Sequence, residues 1–142
     1  IILNSNFKGG TNNGGRSDIK RAINTFAAAV NMVFDERKDF RIIIKKHPTE
    51  SEAFMEKEFS RIRAPYQILK EFHPIQLIIV SKAVFGLGSM FLLESLYLNT
   101  PSVSLNFRVK SQGWNIGDVT KGLTFLKTEK SVKDFLDHCL NQ

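Results

Sequence analysis

The fold is decided by one apolar stretch, residues 83–96, whose sequence is AVFGLGSMFLLESL. Residues 83–87 predict a buried strand, Gly88-Ser89 predicts a turn, and residues 90–98 predict a helix that is apolar on nearly every side. Helices of that kind pack against a sheet in the interior of α/β proteins. The stretch therefore predicts one strand–turn–helix unit of an α/β fold.

The rest of the chain continues this alternation of strands and helices. Strands are expected at residues 1–6, 40–46, 66–70, 101–107 and 123–126. Helices are expected at residues 18–36, 51–63 and 129–141, whereas residues 74–81 fit either a strand or a short buried helix. Continuous apolar strands between helices are typical of a parallel sheet that is covered on both faces. We therefore expect residues 1–142 to form one Rossmann-like domain, an open parallel sheet of five or six strands with helices on both faces.

Composition and charge narrow the classes of function. A chain of 142 residues with 42% hydrophobic residues can build one core, and its single cysteine, Cys139, excludes a disulfide scaffold. No apolar run reaches the roughly 20 residues that span a bilayer. The net charge of +6 favours a negatively charged partner. Basic and aromatic residues are not interleaved, however, which argues against nucleic acid.

Charge is nearly absent from the middle of the chain. Lys82 and Glu94 are the only charged residues between positions 75 and 107, and a stretch that apolar predicts core. We therefore expect Glu94 to be a buried carboxylate, which has to be hydrogen-bonded, paired or neutralised.

Candidate binding residues lie in the loops that follow the expected strands, where ligands bind in open parallel sheets. In the first loop, residues 7–17, the backbone of Gly9 and Gly10 can approach a phosphate, although the loop matches neither the P-loop nor the dinucleotide fingerprint. At the end of the second strand, His47 can donate to phosphate oxygens or shuttle a proton, and Lys45 adds positive charge. A plain surface loop and a histidine that caps a turn are the alternatives.

The third candidate is the turn at Gly88-Ser89 with the helix after it. Ser89 can cap that helix and, with the free backbone N–H groups, receive a phosphate. A buried Glu94 would suit the two hydroxyls of a ribose, with the ligand running diagonally because five residues rotate by about 140° around a helix. The alternative is a structural glutamate paired with Lys82 or with the backbone. We find no metal-ligand spacing among the histidines, Cys139 and the carboxylates, and no G-x-S-x-G elbow.

Three segments in this order resemble a known family: residues 43–48 (IIKKHP), 83–96 and 99–103 (NTPSV). They are similar to the C-terminal half of GT-B fold glycosyltransferases, above all to the enzymes of bacterial surface and capsular polysaccharide synthesis. Polysialyltransferases, glycerophosphotransferases and non-hydrolysing nucleotide-sugar 2-epimerases are relatives. The family carries a Gly-Lys-Pro-Val type of strand entry where this chain has Asn99-Thr100-Pro101-Ser102. The resemblance covers about residues 1–126.

The resemblance implies a set of roles for individual residues. The chain would bind the nucleotide of a donor sugar, with no metal or other cofactor, because protein groups neutralise the leaving phosphate. His47 would be the catalytic residue at the donor phosphates, Glu94 would accept the ribose hydroxyls, and Phe72 would lie near the base. The full expected nucleotide-binding set is Gly9, Gly10, Lys45, His47, Phe72, Gly88, Ser89, Met90 and Glu94.

We therefore expect the donor nucleotide-sugar-binding domain of a glycosyltransferase that acts in surface or capsular polysaccharide biosynthesis. Because the chain starts at Ile1 inside an expected strand and lacks the family's N-terminal acceptor domain, we expect a domain excised from a longer chain and inactive on its own. The resemblance implies a cytoplasmic enzyme with peripheral membrane association at full length. The alternatives are a nucleotide-sugar 2-epimerase domain and a non-catalytic Rossmann-like domain that binds a polyanion or another partner.

Overall fold

A computed structural model describes residues 2–4, 15–46, 51–71, 73–87, 90–105 and 123–142. The strands in these ranges are β1 (Ile2–Asn4), β2 (Ile42–Lys45), β3 (Tyr66–Leu69), β4 (Val84–Gly86), β5 (Ser102–Ser104) and β6 (Thr124–Phe125). The helices in the same ranges are α1 (Gly15–Glu36), α2 (Glu52–Phe59), α3 (Pro74–Ile79), α4 (Met90–Tyr97) and α5 (Glu129–Leu140).

The strands form a six-stranded sheet in the order β3-β2-β1-β4-β5-β6. Every neighbouring pair in it is parallel. This is the strand order of a doubly wound α/β sheet, in which the chain reverses its direction of travel between the first and fourth strands. The α/β class with parallel strands is thus confirmed, and the architecture is compatible with a Rossmann-like fold.

Side chains alternate between two apolar layers, one on each face of the sheet. Ile42, Ile44 and Phe85 belong to a core that also contains side chains of α1, α2 and α5. Ile43, between Ile42 and Ile44, and Val84, directly before Phe85, contact a second, smaller core together with side chains of α3 and α4. Since successive residues of a strand point to opposite faces, short apolar strands supply both layers at once.

The larger layer is built around α1. Its apolar residues recur at helical spacing, which the sequence predicted, and those that are fully buried are Ala22, Ile23, Phe26, Ala27, Ala29, Val30 and Val33. The ring centroids of Phe26 and Phe85 lie 5.0 Å apart, and Phe135 of α5 meets the same Phe85 ring edge-on. Burial of one such ring is worth about 1.5–3 kcal/mol. Because this layer also holds most of the buried apolar side chains, it carries most of the apolar stabilisation.

The smaller layer is built from two short helices. Of residues 74–81, which fit a strand or a helix from sequence, Pro74–Ile79 form α3, with Pro74 at its first position. Ser95 and Ser102 are buried beneath this layer, and their hydroxyls donate to the carbonyl oxygens of Phe91 and Thr100, each at 2.8 Å. Small side chains that satisfy their own hydrogen bonds let α4 approach β5 closely.

The middle of the chain is only half buried, which corrects the expectation that all of residues 75–107 are core. Ile78 and Leu92 are fully buried, but Ile79 and Val80 are 64% and 74% exposed, and Tyr97 is 87% exposed. The reason is that α3 and α4 are covered on one side only within the described part of the chain. Among the helices described here, none is long and apolar enough to cross a membrane.

Candidate functional site

The strand order makes the carboxyl ends of β1 and β4 the place where a ligand crevice is expected. These two strands are neighbours in the sheet, and the chain leaves them in opposite directions, which is where open α/β sheets bind ligands. The segments that follow these strands, residues 5–14 and 88–89, contain Gly9, Gly10, Gly88 and Ser89. All four residues lie outside the described ranges, as do His47 and Phe72.

Lys45 is the expected binding residue whose surroundings the structure shows in most detail. It ends β2 and is half-buried, and its Nζ lies 5.2 Å from the centroid of the Phe91 ring. Phe91 is the second residue of α4 and is 5% exposed. Lys45 follows Ile43 by two residues and so shares its face of the sheet, the face that carries α3 and α4. The carboxyl end of β2 and the first turn of α4 therefore come together at the same end of the sheet.

Ser104 is a residue of this region that the sequence analysis missed. It is fully buried at the end of β5, opposite Gly86 of β4, and its hydroxyl donates to the carbonyl oxygen of Leu87. The backbone N–H of Leu105 also donates to the carbonyl oxygen of Gly86, at 2.7 Å. Both bonds hold the chain as it leaves β4 for the predicted turn at residues 88–89. The available signal was the pair of serines, Ser102 and Ser104, in a strand predicted to be buried, where each hydroxyl has to find a partner.

Glu94 is exposed, so the expectation of a buried carboxylate is wrong. On α4 the inward face consists of Phe91, Leu92 and Ser95, and helical spacing puts Glu94 on the solvent side with Tyr97. The expected alternative partner, Lys82, instead donates from Nζ to the main-chain oxygen of Gln142 at 3.1 Å. Met90 is the first residue of α4, and its side chain lies outside the described part of the structure.

Among the residues whose burial the structure describes, the buried carboxylate is that of Glu58 on α2, which is 4% exposed. Its Oε1 lies 3.9 Å from the Nζ of Lys20 on α1. Met55, Glu58, Phe59 and Ile62 follow the spacing of a buried helix face, so the sequence carried this signal. Glu58 lies on the face of the sheet opposite α4. Its contact with Lys20 is therefore a structural ion pair that links α1 and α2.

A polar depression lies at the other end of the molecule, where α1 and α5 end. The Arg37 guanidinium donates to both carboxylate oxygens of Asp39, each at 2.6 Å, and this contact holds the pKa of Asp39 below its usual range. Arg37 also donates to Asn141 at 2.8 Å. Lys133 donates to Asp137 at 2.7 Å, and the bond raises the pKa of Lys133. Most charges of the depression are paired, Arg37 with Asp39 and Lys133 with both Glu36 and Asp137, so the depression joins two helix ends.

Comparison with protein-family models, with curated proteins and with solved structures finds no match to this chain. Within the ranges that the structure describes, histidine, cysteine and acidic side chains form no group that could hold a metal ion. The site is thus defined by the topology of the sheet and by the contact between Lys45 and the first turn of α4.

Proposed function

We propose that this chain binds the nucleotide of an activated sugar, as the donor-binding half of a GT-B type glycosyltransferase of surface or capsular polysaccharide synthesis. The observation that carries the proposal is the placement of Lys45 beside the first turn of α4, at the carboxyl end of a sheet with doubly wound order. The proposal includes the Rossmann-like class of the fold and the roles expected for His47, Ser89 and Glu94.

The chemistry of this arrangement suits a phosphate. The first backbone N–H groups of a helix have no partner within the helix, and the helix dipole adds partial positive charge there. Lys45 brings a full positive charge to the same place, and the contact of its Nζ with the Phe91 ring favours one position of a flexible side chain. A diphosphate or monophosphate that leaves a sugar during transfer would be stabilised by these groups.

The position of Glu94 supports binding of the sugar part of the nucleotide. Glu94 lies one turn beyond Phe91 on the solvent side of α4, so its carboxylate can accept hydroxyls from a ligand that extends from the helix N-terminus along its outer side. Ser104, by holding the Leu87 carbonyl, would fix the start of the turn that leads into this helix.

The test is a titration of the chain with UDP, CMP and GDP, followed by NMR. We expect shifts of the backbone amides of Lys45, Gly86, Leu87 and Phe91 with at least one nucleotide. Lys45→Met should weaken that binding about tenfold, the effect of losing one charge-assisted contact. Lys82→Met is the matched control, because Lys82 is exposed and lies at the opposite end of the strands. Absence of shifts in these four amides with all three nucleotides would contradict the proposal.

A non-catalytic polyanion-binding domain is the second candidate, and the net charge of +6 favours it. It predicts binding to heparin that weakens steeply with salt, and no response to nucleotides. The Lys45→Met and Lys82→Met variants would then weaken heparin binding to a similar extent, since neither cation would hold a special place.

A further inference from the structure

The outer side of α3 and α4 carries most of the exposed apolar side chains. Six large apolar residues of the described ranges are exposed, and Met32 of α1 stands alone on the other face of the sheet. The other five belong to α3, α4 and the residues directly after them: Ile75, Ile79, Val80, Tyr97 and Leu98. Single exposed apolar side chains are ordinary, whereas a group of them marks a surface that meets something.

Four members of this group lie at neighbouring helix ends. The Thr100 hydroxyl, just after α4, donates to the carbonyl oxygen of Ile78 in α3, at 3.3 Å. This bond ties the C-terminal end of α3 to the turn after α4, and side chains of both helices share the smaller core beneath. The exposed residues at these two ends form one surface, which we call the apolar patch: Ile79, Val80, Tyr97 and Leu98.

The apolar patch lies in a part of the chain that is nearly free of charge. Between positions 75 and 107 the charged residues are Lys82 and Glu94. The ion pairs that join helices, such as those of Asp35 with Arg63 and of Glu36 with Lys133, belong to α1, α2 and α5 on the other face of the sheet. Few charges around exposed aliphatic and tyrosine side chains are typical of the centre of a protein–protein interface.

The two charges beside the apolar patch have opposite signs and lie at opposite ends of it. Glu94 stands about 4.5 Å before Tyr97 along α4, on the side of the crevice, since each helical residue advances about 1.5 Å. The backbone N–H of Val84 donates to the carbonyl oxygen of Pro101 at 2.9 Å, which sets Lys82 level with the chain beyond the end of α4. Within the described ranges neither Glu94 nor Lys82 has an ion-pair partner.

We propose that the apolar patch is the interface of a homodimer, in which a second copy of the chain packs the same patch against this one about a two-fold axis. Such an interface is isologous, so a residue that contacts another across it is itself contacted in the same way. Tyr97, which is 87% exposed, would pack on Ile79 and Val80 of the partner subunit. An axis near Tyr97 also brings Glu94 of each copy towards Lys82 of the partner subunit.

A second copy fits this surface better than other occupants. A nucleic acid or another polyanion would find only one cation, Lys82, beside the patch. A different protein would have to supply one charge of each sign in the right places, whereas a second copy supplies both, and opposite charges across an interface favour the correct pairing. The α1, α2 and α5 charges of the two copies stay apart, because these helices cover the far face of each sheet.

The area of the interface extends beyond the apolar patch. A standard interface buries about 800 Å² on each partner, which is more than four side chains supply. The exposed Gln76 and Asn99 and the half-buried Leu93 and Leu96 lie on the same two helices and the turn after α4, and would complete the contact. Glu94 would lie at the rim, where a carboxylate keeps acceptor sites for a further ligand. The inference therefore goes beyond nucleotide binding and does not depend on it.

The test is sedimentation velocity of the 142-residue chain over a range of concentrations. We expect dimers that dissociate on dilution. The double variant Val80→Ser/Tyr97→Ser should raise the dissociation constant about a hundredfold, because it removes apolar area from both halves of the interface. Met32→Ser is the matched control, an exposed apolar residue on the other face, and should dimerise like the unaltered chain. Circular dichroism checks that both variants are folded.

A charge exchange tests the two-fold arrangement. Glu94→Lys sets like charges against each other twice in the dimer and should weaken it about fivefold, in the range of exposed ion pairs. Glu94→Lys/Lys82→Glu restores opposite signs and should recover the original affinity. Glu56→Lys makes the same change of charge at an exposed position of α2 and is the control. Equal weakening by Glu94→Lys and Glu56→Lys, or no recovery in the exchanged variant, would overturn the arrangement.

Two further outcomes would overturn the proposal as a whole. One is a chain that stays monomeric at every concentration. If Tyr97 in such monomers also resists nitration, the patch is covered within the chain itself. The other is a dimer that Val80→Ser/Tyr97→Ser and Met32→Ser weaken equally, since its interface would then lie elsewhere. Nucleotide titration of the Val80→Ser/Tyr97→Ser variant tests the crevice separately.

Discussion

The two faces of the sheet differ in how completely they are covered. One face carries α1, α2 and α5, whose aromatic and aliphatic side chains fill a continuous core around Phe26 and Phe85. The other carries two short helices over a small core, with buried serines beneath and aliphatic side chains exposed above. The comparison teaches that stability and binding are divided between the faces. The full face holds the fold together, and the sparse face supplies the contact with Lys45 and the proposed ligand groups.

The largest expected effect comes from breaking the full face. Phe26→Ala should lower the free energy of unfolding by about 3–5 kcal/mol, because it removes a fully buried ring that packs on Phe85. Met32→Ala lies on the same helix but is 39% exposed, and should cost about 0.5 kcal/mol or less. Urea denaturation followed by circular dichroism measures both. Equal losses for the two variants would show that the α1 core does not carry the stability assigned to it.

An intermediate effect is expected on the sparse face at Ser104. Ser104→Ala removes the hydroxyl that donates to the carbonyl oxygen of the half-buried Leu87, and should cost about 1 kcal/mol, the net worth of a typical hydrogen bond. Ser95→Ala is the control. The Ser95 hydroxyl is equally buried, but it donates to the Phe91 carbonyl, which already accepts the backbone N–H four residues later within α4. Its loss should cost about 0.5 kcal/mol, within the range of minor substitutions.

The same pair of serine variants sharpens the link between the sparse face and ligand binding. If Ser104 holds the entry to the turn after β4, Ser104→Ala should weaken nucleotide binding more than Ser95→Ala does. NMR titration at a temperature where both variants are folded gives the two affinities. Unequal stability combined with equal affinity would limit Ser104 to a structural role.

The smallest expected effect is a pH dependence at the polar depression between α1 and α5. The Arg37 guanidinium lowers the pKa of Asp39 in the folded chain, so this pair contributes stability above the unfolded pKa of about 4 and loses it as pH falls through the lower, folded value. Asp39→Asn should therefore lower the urea midpoint slightly at neutral pH. The difference should vanish in acid below the folded pKa. A difference that persists there would rule out the ion pair as its cause.

The sequence predicted local structure well wherever a residue pattern is compatible with only one type of secondary structure. The spacing of apolar residues in α1 is that of a helix and of no strand. Pro65 and Pro101 each end the preceding segment and stand directly before strands β3 and β5. Ser51 caps α2, accepting a hydrogen bond from the N–H of Phe54. Residues 74–81 were ambiguous because their apolar side chains suit a strand and a short helix equally. In the structure Pro74–Ile79 form a helix, whose side chains share the smaller core with those of α4.

The candidate site could be predicted only in part. That Lys45 and the N-terminal turn of α4 share one end of the sheet followed from the rule that ligands meet strand carboxyl ends. Glu94 was placed wrongly, because its apolar neighbours in sequence were taken as neighbours in space. Glu58 was missed for the converse reason, since charged residues surround it in sequence while the helix turns it inward against α1.

By itself, the sequence determined the alternation of strands and helices, the parallel character of the sheet and the basic charge. These are local or summed properties that depend on spacing and composition alone. Only the tertiary structure decided the order of the strands, which side of α4 faces solvent, and which charged side chains pair across helices. Those features depend on contacts between residues far apart in the chain, as between Ile78 and Thr100 or Ser104 and Leu87, and no local pattern encodes such contacts.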